Sequence, residues 1–436
     1  GPREFDWEIK FNYGEKDLAK GTWLTDRLEG TDSSIIADSI NVTDDKGQPL
    51  NINYSISALN NQSFKITFPD GVPRNKVLIT YKTRYDAIIP NEGNPVMKNN
   101  VTTNVSSGNT TPGGGSTNLG TSGSLGIGEQ GLAKSGTIDY NKHKINWTMD
   151  INKGQYTMYN WKLTDTFSAN QTYDDNLVIK ESGANTPLVK DQDYTLAVTA
   201  NGFEIAFIGD RATKGTDKRY TITYSTTFDP RKLDGKLTNT ASHTWEDSQG
   251  KEYSRKQVVT LTSKKEYISN VTKSGSYNAT TKEITWTITA NYMQDELVNA
   301  VITDLITNNP KQEYIPGSAI LQRMTINANG NVSLKELVDI TGTITEPTAA
   351  NRELRVPLPN GSNAYRLIFK TKLGDRVIEK GEEIKNTANY INDGKTLTAD
   401  ASVQPAHAGN HLSKTGTPDG LNYAKWRIEL NKAQSI

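Results

Sequence analysis

Apolar and polar side chains alternate along most of this chain with a period of two, and helical periodicity is weak everywhere. Val77-Leu-Ile-Thr-Tyr-Lys-Thr83, Tyr220-Thr-Ile-Thr-Tyr-Ser-Thr226 and Tyr365-Arg-Leu-Ile-Phe-Lys-Thr371 each read as a strand with one face turned to a core. Turn signals stand between such runs: Asp70-Gly71, Asn201-Gly202, Asp234-Gly235, Asn360-Gly361 and Asp393-Gly394. Asp295-Glu-Leu-Val-Asn299 is expected to form a turn of helix, no more. The pattern predicts an all-β protein. Half-buried strands expose every second side chain, so 34% hydrophobic residues are enough for a folded chain of this kind.

One segment breaks the alternation. Ser106 to Gly131 is rich in glycine and serine with almost no apolar content, and is expected to be a flexible linker. Composition predicts flexibility and not closure, so a passive tether is favoured over a hinge that closes two domains on a ligand.

The chain repeats itself. Trp7-Glu-Ile-Lys-Phe-Asn12, Trp147-Thr-Met-Asp-Ile-Asn152, Trp286-Thr-Ile-Thr-Ala-Asn291 and Trp426-Arg-Ile-Glu-Leu-Asn431 share one pattern. Their tryptophans recur at a near-constant period of about 140 residues, the mark of a tandem array. Lys134-Ser-Gly-Thr, Lys273-Ser-Gly-Ser and Lys414-Thr-Gly-Thr precede three of them at nearly the same short distance. A Thr-Asp pair follows the tryptophan, at Asp26, Asp165 and Asp304, and an asparagine lies late in each repeat, at Asn99, Asn239 and Asn386. Residues 133–268 and 270–411 are expected to be two complete immunoglobulin-like β-sandwiches. Residues 1–105 then form a sandwich without its first, lysine-bearing strand, 106–132 the linker, and 412–436 the opening strands of a further repeat. Tandem sandwiches of this kind imply an elongated array. Gly1-Pro2 reads as a protease-cleavage remnant, so the sequence is taken as a piece of a longer protein.

The interval from Lys134 to Asp165 equals that from Lys273 to Asp304. The interval from Asp304 to Asn386 is longer than that from Asp165 to Asn239, the extra length falling in a stretch around 325–350 that reads as loop-rich. Lysine, acid and asparagine at matched positions are the parts of an intramolecular isopeptide bond. Burial lowers a lysine pKa, giving the neutral amine that attacks a carboxamide, and raises an aspartate pKa, so that the acid polarises the amide oxygen. Ammonia leaves, and no cofactor or external enzyme is needed. A buried polar trio is also met as an ordinary hydrogen-bonded network; duplication at identical spacing favours the crosslink. Asp26 and Asn99 have no lysine in the sequence at the matching distance, and Lys414 has no acid or asparagine at the matching distances after it. These remnants suggest that the strand around Lys414 fills the open edge of a neighbouring copy, a head-to-tail self-association.

Composition removes other classes. With 49 basic and 49 acidic side chains the formal charge is zero, which gives no support for nucleic-acid binding. There is no cysteine for disulfides, thiolate metal sites or thiol nucleophiles, and the four histidines (143, 243, 407 and 411) are too scattered to suggest a metal site. No apolar run is long enough to span a membrane. No constellation for catalysis on an external substrate emerges. The tryptophans are expected to fill the sandwich cores rather than touch a ligand.

The Lys-(Ser/Thr)-Gly, Trp-x4-Asn, Thr-Asp and Asn-Thr-Ala series resembles the collagen-binding-type domains of Gram-positive cell-wall-anchored adhesins, and it covers nearly the whole chain apart from the linker. The resemblance implies variant immunoglobulin folds with Lys134 bonded to Asn239 beside Asp165, and Lys273 bonded to Asn386 beside Asp304. It also implies secretion, anchoring to the cell wall and a role in adhesion, with collagen or another matrix protein as the partner. Two functions compete: a crosslinked stalk, favoured by repetition, and a module that grips a matrix protein between the domains flanking the linker.

Overall fold

The alternation is realised as antiparallel strands throughout. The structure is a computed structural model that describes residues 3–30, 32–88, 95–106, 118–127, 131–233, 235–307, 312–374 and 376–432. Gly1-Pro2, Asp234 and the linker stretches 107–117 and 128–130 lie outside the described residues. Within them the strands divide by hydrogen bonding into three groups of ten and a closing pair.

The first group is β1 (Glu4–Phe11), β2 (Asp17–Leu18), β3 (Thr22–Glu29), β4 (Ser33–Thr43), β5 (Ser55–Ser57), β6 (Ser63–Phe68), β7 (Val72–Pro73), β8 (Val77–Tyr85), β9 (Val96–Ser106) and β10 (Asn118–Gly126). Its sheets run β1-β8-β4 and β10-β9-β3-β6-β5, and β2 pairs with β7. The second comprises β11 (Leu132–Asp139), β12 (Lys144–Ile151), β13 (Tyr159–Phe167), β14 (Gln171–Tyr173), β15 (Val178–Glu181), β16 (Tyr194–Thr199), β17 (Gly202–Phe207), β18 (Tyr220–Phe228), β19 (Lys236–Glu246) and β20 (Glu252–Thr262). Here β11-β12-β18-β14, with β15 also on β18, packs against β16-β17-β13-β19-β20. The third comprises β21 (Val271–Asn278), β22 (Glu283–Ala290), β23 (Val301–Leu305), β24 (Glu313–Tyr314), β25 (Ile320–Ile326), β26 (Val332–Val338), β27 (Glu353–Pro357), β28 (Ala364–Lys372), β29 (Ile384–Asn392) and β30 (Lys395–Val403). Its sheets are β21-β22-β28-β25-β26, with β24 on β28, and β27-β23-β29-β30. The chain ends in a two-stranded hairpin, β31 (Leu412–Pro418) and β32 (Ala424–Leu430).

Each sandwich has a core between its sheets, as one apolar face per sheet requires, and that of the second also takes in Met293, Met324 and Ile326 of the third. Leu24, Phe64 and Ile79 fill the first, Trp147, Trp161 and Phe203 the second, and Trp286, Leu354 and Phe369 the third. The recurring Trp-x4-Asn pattern has a structural cause at its far end. Asn12, Asn152, Asn291 and Asn431 all adopt left-handed backbone at φ 52, 58, 60 and 52°, a region asparagine tolerates better than most residues. In the three sandwiches the asparagine amide bonds both backbone groups of the residue four positions on, fixing the turn that leaves the strand. At Asp393-Gly394 both residues have positive φ (50 and 73°), the two-residue turn that a tight β29–β30 hairpin needs.

Three expectations are corrected. The helical turns fall at Asp210–Thr213 and Lys265–Ser269, not at Asp295–Asn299. There the Leu297 and Val298 amides donate outward, to the Gly361 carbonyl at 2.9 Å and the Asn392 side chain at 2.8 Å, so no helical bond forms. The stretch around 325–350 is not simply loop: it contains β26, paired with β25. Lastly, the expected linker over 106–132 contains a strand, β10, which closes the first sandwich against β9. Its glycine content misled because one glycine serves packing: a Cβ on Gly123 would stand 3.0 Å from Trp7 Cζ3.

Candidate functional site

Register places the acid and the asparagine. Asp165 on β13 faces Ala241 on β19, two residues after Asn239; Asp304 on β23 faces Ala388 on β29, two after Asn386. An offset of two keeps both side chains on one face as diagonal neighbours. The lysine comes from the other sheet. On β11, Lys134 lies opposite Met149 and Gly136 opposite Trp147; on β21, Lys273 lies opposite Ile288 and Gly275 opposite Trp286. A Cβ on Gly136 would stand 2.4 Å from Trp147 Cζ3, and one on Gly275 2.6 Å from Trp286 Cζ3. The glycine of Lys-Ser-Gly thus lets the first strand close on the indole, which drives the lysine inward.

The structure therefore brings together both complete sequence trios. Lys134 and Asp165 side chains are 0% exposed, as are those of Lys273 and Asp304, and each lysine Nζ donates to its aspartate Oδ2. Each amine stands over two aromatic rings: Trp147 and Tyr224, both at 5.2 Å, and Trp286 and Phe369 at 5.2 and 5.1 Å. Asn239 and Asn386 are buried on the sheet face of their aspartates, and among the described residues neither polar atom of the Asn386 amide has a hydrogen-bond partner. Burial pushes the Lys134 and Lys273 ammonium groups down against the opposing pull of their aspartates. It pushes the Asp165 and Asp304 carboxyls up against the pull of the lysines. Both directions favour an uncharged amine beside an uncharged acid.

Sequence reasoning missed one participant. The Tyr224 phenol donates to Asp165 Oδ1 at 2.7 Å and accepts from Lys134 Nζ at 2.9 Å and from Asn239 Nδ2 at 2.6 Å, touching all three. Tyr81 and Phe369 hold the equivalent place, each directly opposite its repeat's tryptophan. The signal was present as a repeated (Tyr/Phe)-x-Thr: Tyr81-Lys-Thr83, Tyr224-Ser-Thr226 and Phe369-Lys-Thr371. The threonine hydroxyls accept the indole N–H of Trp7, Trp147 and Trp286 at 2.8, 3.0 and 2.9 Å. Only the third site, with Phe369, lacks the phenol.

The remnants are placed apart. Asp26, Asn99 and Tyr81 share a buried network in the first sandwich, while Lys414 lies exposed on the closing hairpin with its ammonium 4.5 Å from the Trp426 ring centre. Two tryptophans fill their cores as expected, Trp147 at 1% and Trp286 at 0% exposure; Trp7 is partly exposed and Trp426 is 64% exposed.

Residues 268–402 match the collagen binding domain family, and residues 138–244 match the Gram-positive pilin backbone subunit 2, Cna-B-like domain family. The first match contains Lys273, Asp304 and Asn386; the second contains Asp165 and Asn239 and begins just after Lys134. No curated protein matches the chain. Among solved structures the chain is similar to the collagen binding subdomain of the Enterococcus faecalis surface protein ACE (12% identity, 30% of this chain and 96% of that one, TM-score 0.26). It is similar also to the collagen-binding domain of a Staphylococcus aureus adhesin (13%, 30% and 97%, 0.26). A third is the C-terminal domain of the Streptococcus pyogenes antigen I/II-family protein AspA (12%, 63% and 99%, 0.28). Among the described residues no helix is long and apolar enough to cross a membrane. By these matches the second sandwich is similar to Cna-B-like domains of Gram-positive pilin backbone subunits and the third to collagen binding domains.

Proposed function

We propose that this chain is a stalk-forming segment of a cell-wall-anchored, extracellular adhesin, whose second and third sandwiches crosslink themselves through Lys134–Asn239 and Lys273–Asn386 isopeptide bonds. One observation carries the reading: in a dry pocket between two aromatic rings, Lys134 reaches both Asp165 and a phenol that itself holds Asn239. The neutral amine attacks Asn239 Cγ as a nucleophile. Asn239 Oδ1 is buried without a hydrogen-bond partner, and a half-turn of the amide presents it to the protonated Asp165, which takes up the developing charge. The Cγ–Nδ2 bond breaks and ammonia departs. Asp304 serves Lys273 and Asn386 in the same way, without a phenol.

Each bond ties the first strand of one sheet to the penultimate strand of the other. The loops closed, 134–239 and 273–386, take in most of their sandwiches. By analogy with a disulfide across a loop of about 100 residues, each constrains the unfolded chain by about 4–5 kcal/mol, and neither is undone by reduction. Intact mass spectrometry tests the reading: the chain should weigh less than its sequence by two ammonia molecules, and Asp165→Ala should abolish one loss and spare the other. A mass equal to that of the sequence sinks it.

The family match over 268–402 favours a second reading, a module that binds collagen or another matrix protein. A grip across a long linker has less to stand on, since β10 leaves only residues 127–131 before β11. Binding of the chain to immobilised collagen, compared with a chain truncated after residue 267, separates the two. Equal signals from both, or none from either, count against a collagen site in the third sandwich.

A further inference from the structure

Each lysine pocket continues into a chain of hydrogen bonds that starts at its tryptophan. In the second sandwich the Trp147 indole, over which the Lys134 amine stands, donates to the Thr226 hydroxyl at 3.0 Å. That hydroxyl donates to Gln171 Oε1 at 2.8 Å, and Gln171 Nε2 donates to the Thr238 carbonyl at 3.2 Å and to Ser168 Oγ at 2.9 Å. Thr238 is the residue immediately before Asn239. The third sandwich repeats the chain. Trp286 donates to Thr371 at 2.9 Å and Thr371 to Gln312 Oε1 at 3.1 Å. Gln312 Nε2 donates to the Lys385 carbonyl at 3.2 Å and to Thr307 Oγ1 at 2.9 Å, and Lys385 is the residue immediately before Asn386.

What each member can do fixes the direction of every bond. An indole only donates, so the threonine accepts there and passes its single hydrogen on. The glutamine must then meet it with oxygen, which leaves both of its N–H groups for the carbonyl and hydroxyl beyond. Gln171 is 3% and Gln312 0% exposed, unusual burial for this side chain. Each chain crosses its sandwich. Trp147, Thr226 and Gln171 stand on the sheet of Lys134, and Thr238 on the sheet of Asn239; Trp286 and Thr371 stand on the sheet of Lys273, and Lys385 on that of Asn386. A shared Gln-x-Tyr supplies the glutamine, Gln171-Thr-Tyr173 and Gln312-Glu-Tyr314, with Tyr173 paired to Thr226 and Tyr314 to Thr371. Packing alone does not ask for it. In the first sandwich Trp7 donates to Thr83 at 2.8 Å, but Ser33-Ser-Ile35 holds the Gln-x-Tyr place, with Ile35 paired to Thr83. The Thr83 hydroxyl there donates to Met97 Sδ at 3.1 Å, and the core closes around Met97.

We propose that Gln171 and Gln312 are positioning residues of the crosslinking step, each a strut that ties the indole beside the amine to the peptide group that carries the acceptor asparagine. The proposal rests on the crosslinking reading above. Lysine and asparagine arrive on different sheets, and stacked sheets lie about 10 Å apart. Apolar packing between them has no direction, whereas a hydrogen-bonded chain fixes both distance and register. Attack needs the amine nitrogen and the amide carbon within about 3–3.5 Å, and an error of about 1 Å costs about a hundredfold in rate. The strut acts on both reactants at once. At one end it holds the aromatic wall against which Lys134 or Lys273 rests, and at the other the backbone from which Asn239 or Asn386 projects.

Ammonia loss at Asn239 and at Asn386, followed in freshly synthesised full chain by peptide mass spectrometry, tests this, with each site serving as the clock for the other. Gln171→Leu keeps the bulk and removes the bonds. It should slow the loss at Asn239 about ten- to a hundredfold and leave Asn386 at its ordinary rate, and Gln312→Leu should do the reverse. Gln171→Glu separates a strut from mere filling. Its carboxyl can donate to the Thr238 carbonyl only when protonated. The ratio of the Asn239 rate to the Asn386 rate, divided by that of the unsubstituted chain at the same pH, should therefore return toward one as pH falls from about 8 to about 5. In Gln171→Leu that ratio should stay low throughout. The proposal is overturned if either leucine variant reacts at the unsubstituted rate, or if Gln171→Glu follows Gln171→Leu at every pH, which would make the glutamine a matter of packing. Two ammonia losses with these rates unmoved would leave the crosslinks standing and this inference fallen; no loss from the unsubstituted chain would remove both.

Discussion

Tyr224 and Phe369 occupy the same position in consecutive sandwiches and differ by one oxygen, and that oxygen holds three groups of the second site in place. Removing it costs a buried hydrogen-bond network about 1–2 kcal/mol. If the network orders the amide for attack, Tyr224→Phe slows bond formation about tenfold, and a time course of ammonia loss mapped to the Asn239 peptide reads the effect. Phe369→Tyr should speed the third site or leave it unchanged. Asp26 gives a second prediction at this scale. Burial pushes its carboxyl up to about 6, so the folded state holds the proton more tightly than the unfolded chain. Stability from this group is fully present below its ordinary value near 4 and lost as pH rises through about 6, a difference of about 3 kcal/mol. Protection factors in β3 and β9, taken against the intrinsic exchange rate at each pH, should therefore be larger at about pH 4 than at about pH 7, and Asp26→Asn should flatten that dependence.

Strands put these side chains where they act, and one glycine per strand decides how closely. With Cζ3 of Trp147 2.4 Å from where its Cβ would be, Gly136→Ala must push β11 off the indole. Overpacking of that kind costs about 1–3 kcal/mol, and it lifts Lys134 away from Asp165, so the ammonia loss at Asn239 should become slow or incomplete while that at Asn386 proceeds. The lysine, glycine, tryptophan and aspartate of each site were readable because they recur at nearly constant spacing, and the strands because half-buried faces alternate. The phenol was not. Its (Tyr/Phe)-x-Thr signature sits inside strands that periodicity identifies, but its role depends on which strand lies opposite, and pairing between distant strands is not written in local sequence. β10 escaped for a different reason: glycine and serine look like slack chain until Trp7 shows why a side chain is unwelcome at Gly123.

At the scale of the molecule, the stalk proposed above would need stiff joints as well as crosslinked sandwiches, and the second and third sandwiches share a joint. The β25–β26 hairpin supplies it: the Tyr140 amide donates to the Ala328 carbonyl at 2.9 Å, Asn141 to the Ile326 carbonyl at 2.9 Å, and Lys264 bonds Asn331. Met293, Met324 and Ile326 of the third sandwich are buried within the core of the second. Tyr267, in the helical turn that leads from the second sandwich towards the third, meets Tyr140 of the second edge to face, ring centres 4.9 Å apart, and is 1% exposed. The residues that make Asn386 lie further from its aspartate than Asn239 does are thus spent, in part, on a hairpin that grips the neighbouring sandwich. Emptying the joint should uncouple the two bodies without touching their chemistry. Tyr267→Ala removes a buried ring at a cost of about 3 kcal/mol, and calorimetry should resolve two unfolding transitions where the unsubstituted pair shows one. Both ammonia losses should remain, since Tyr267 makes no contact with either pocket. A single transition that merely shifts downward would mean that the sandwiches are coupled elsewhere, and a lost crosslink would mean that the joint helps to fold the site itself.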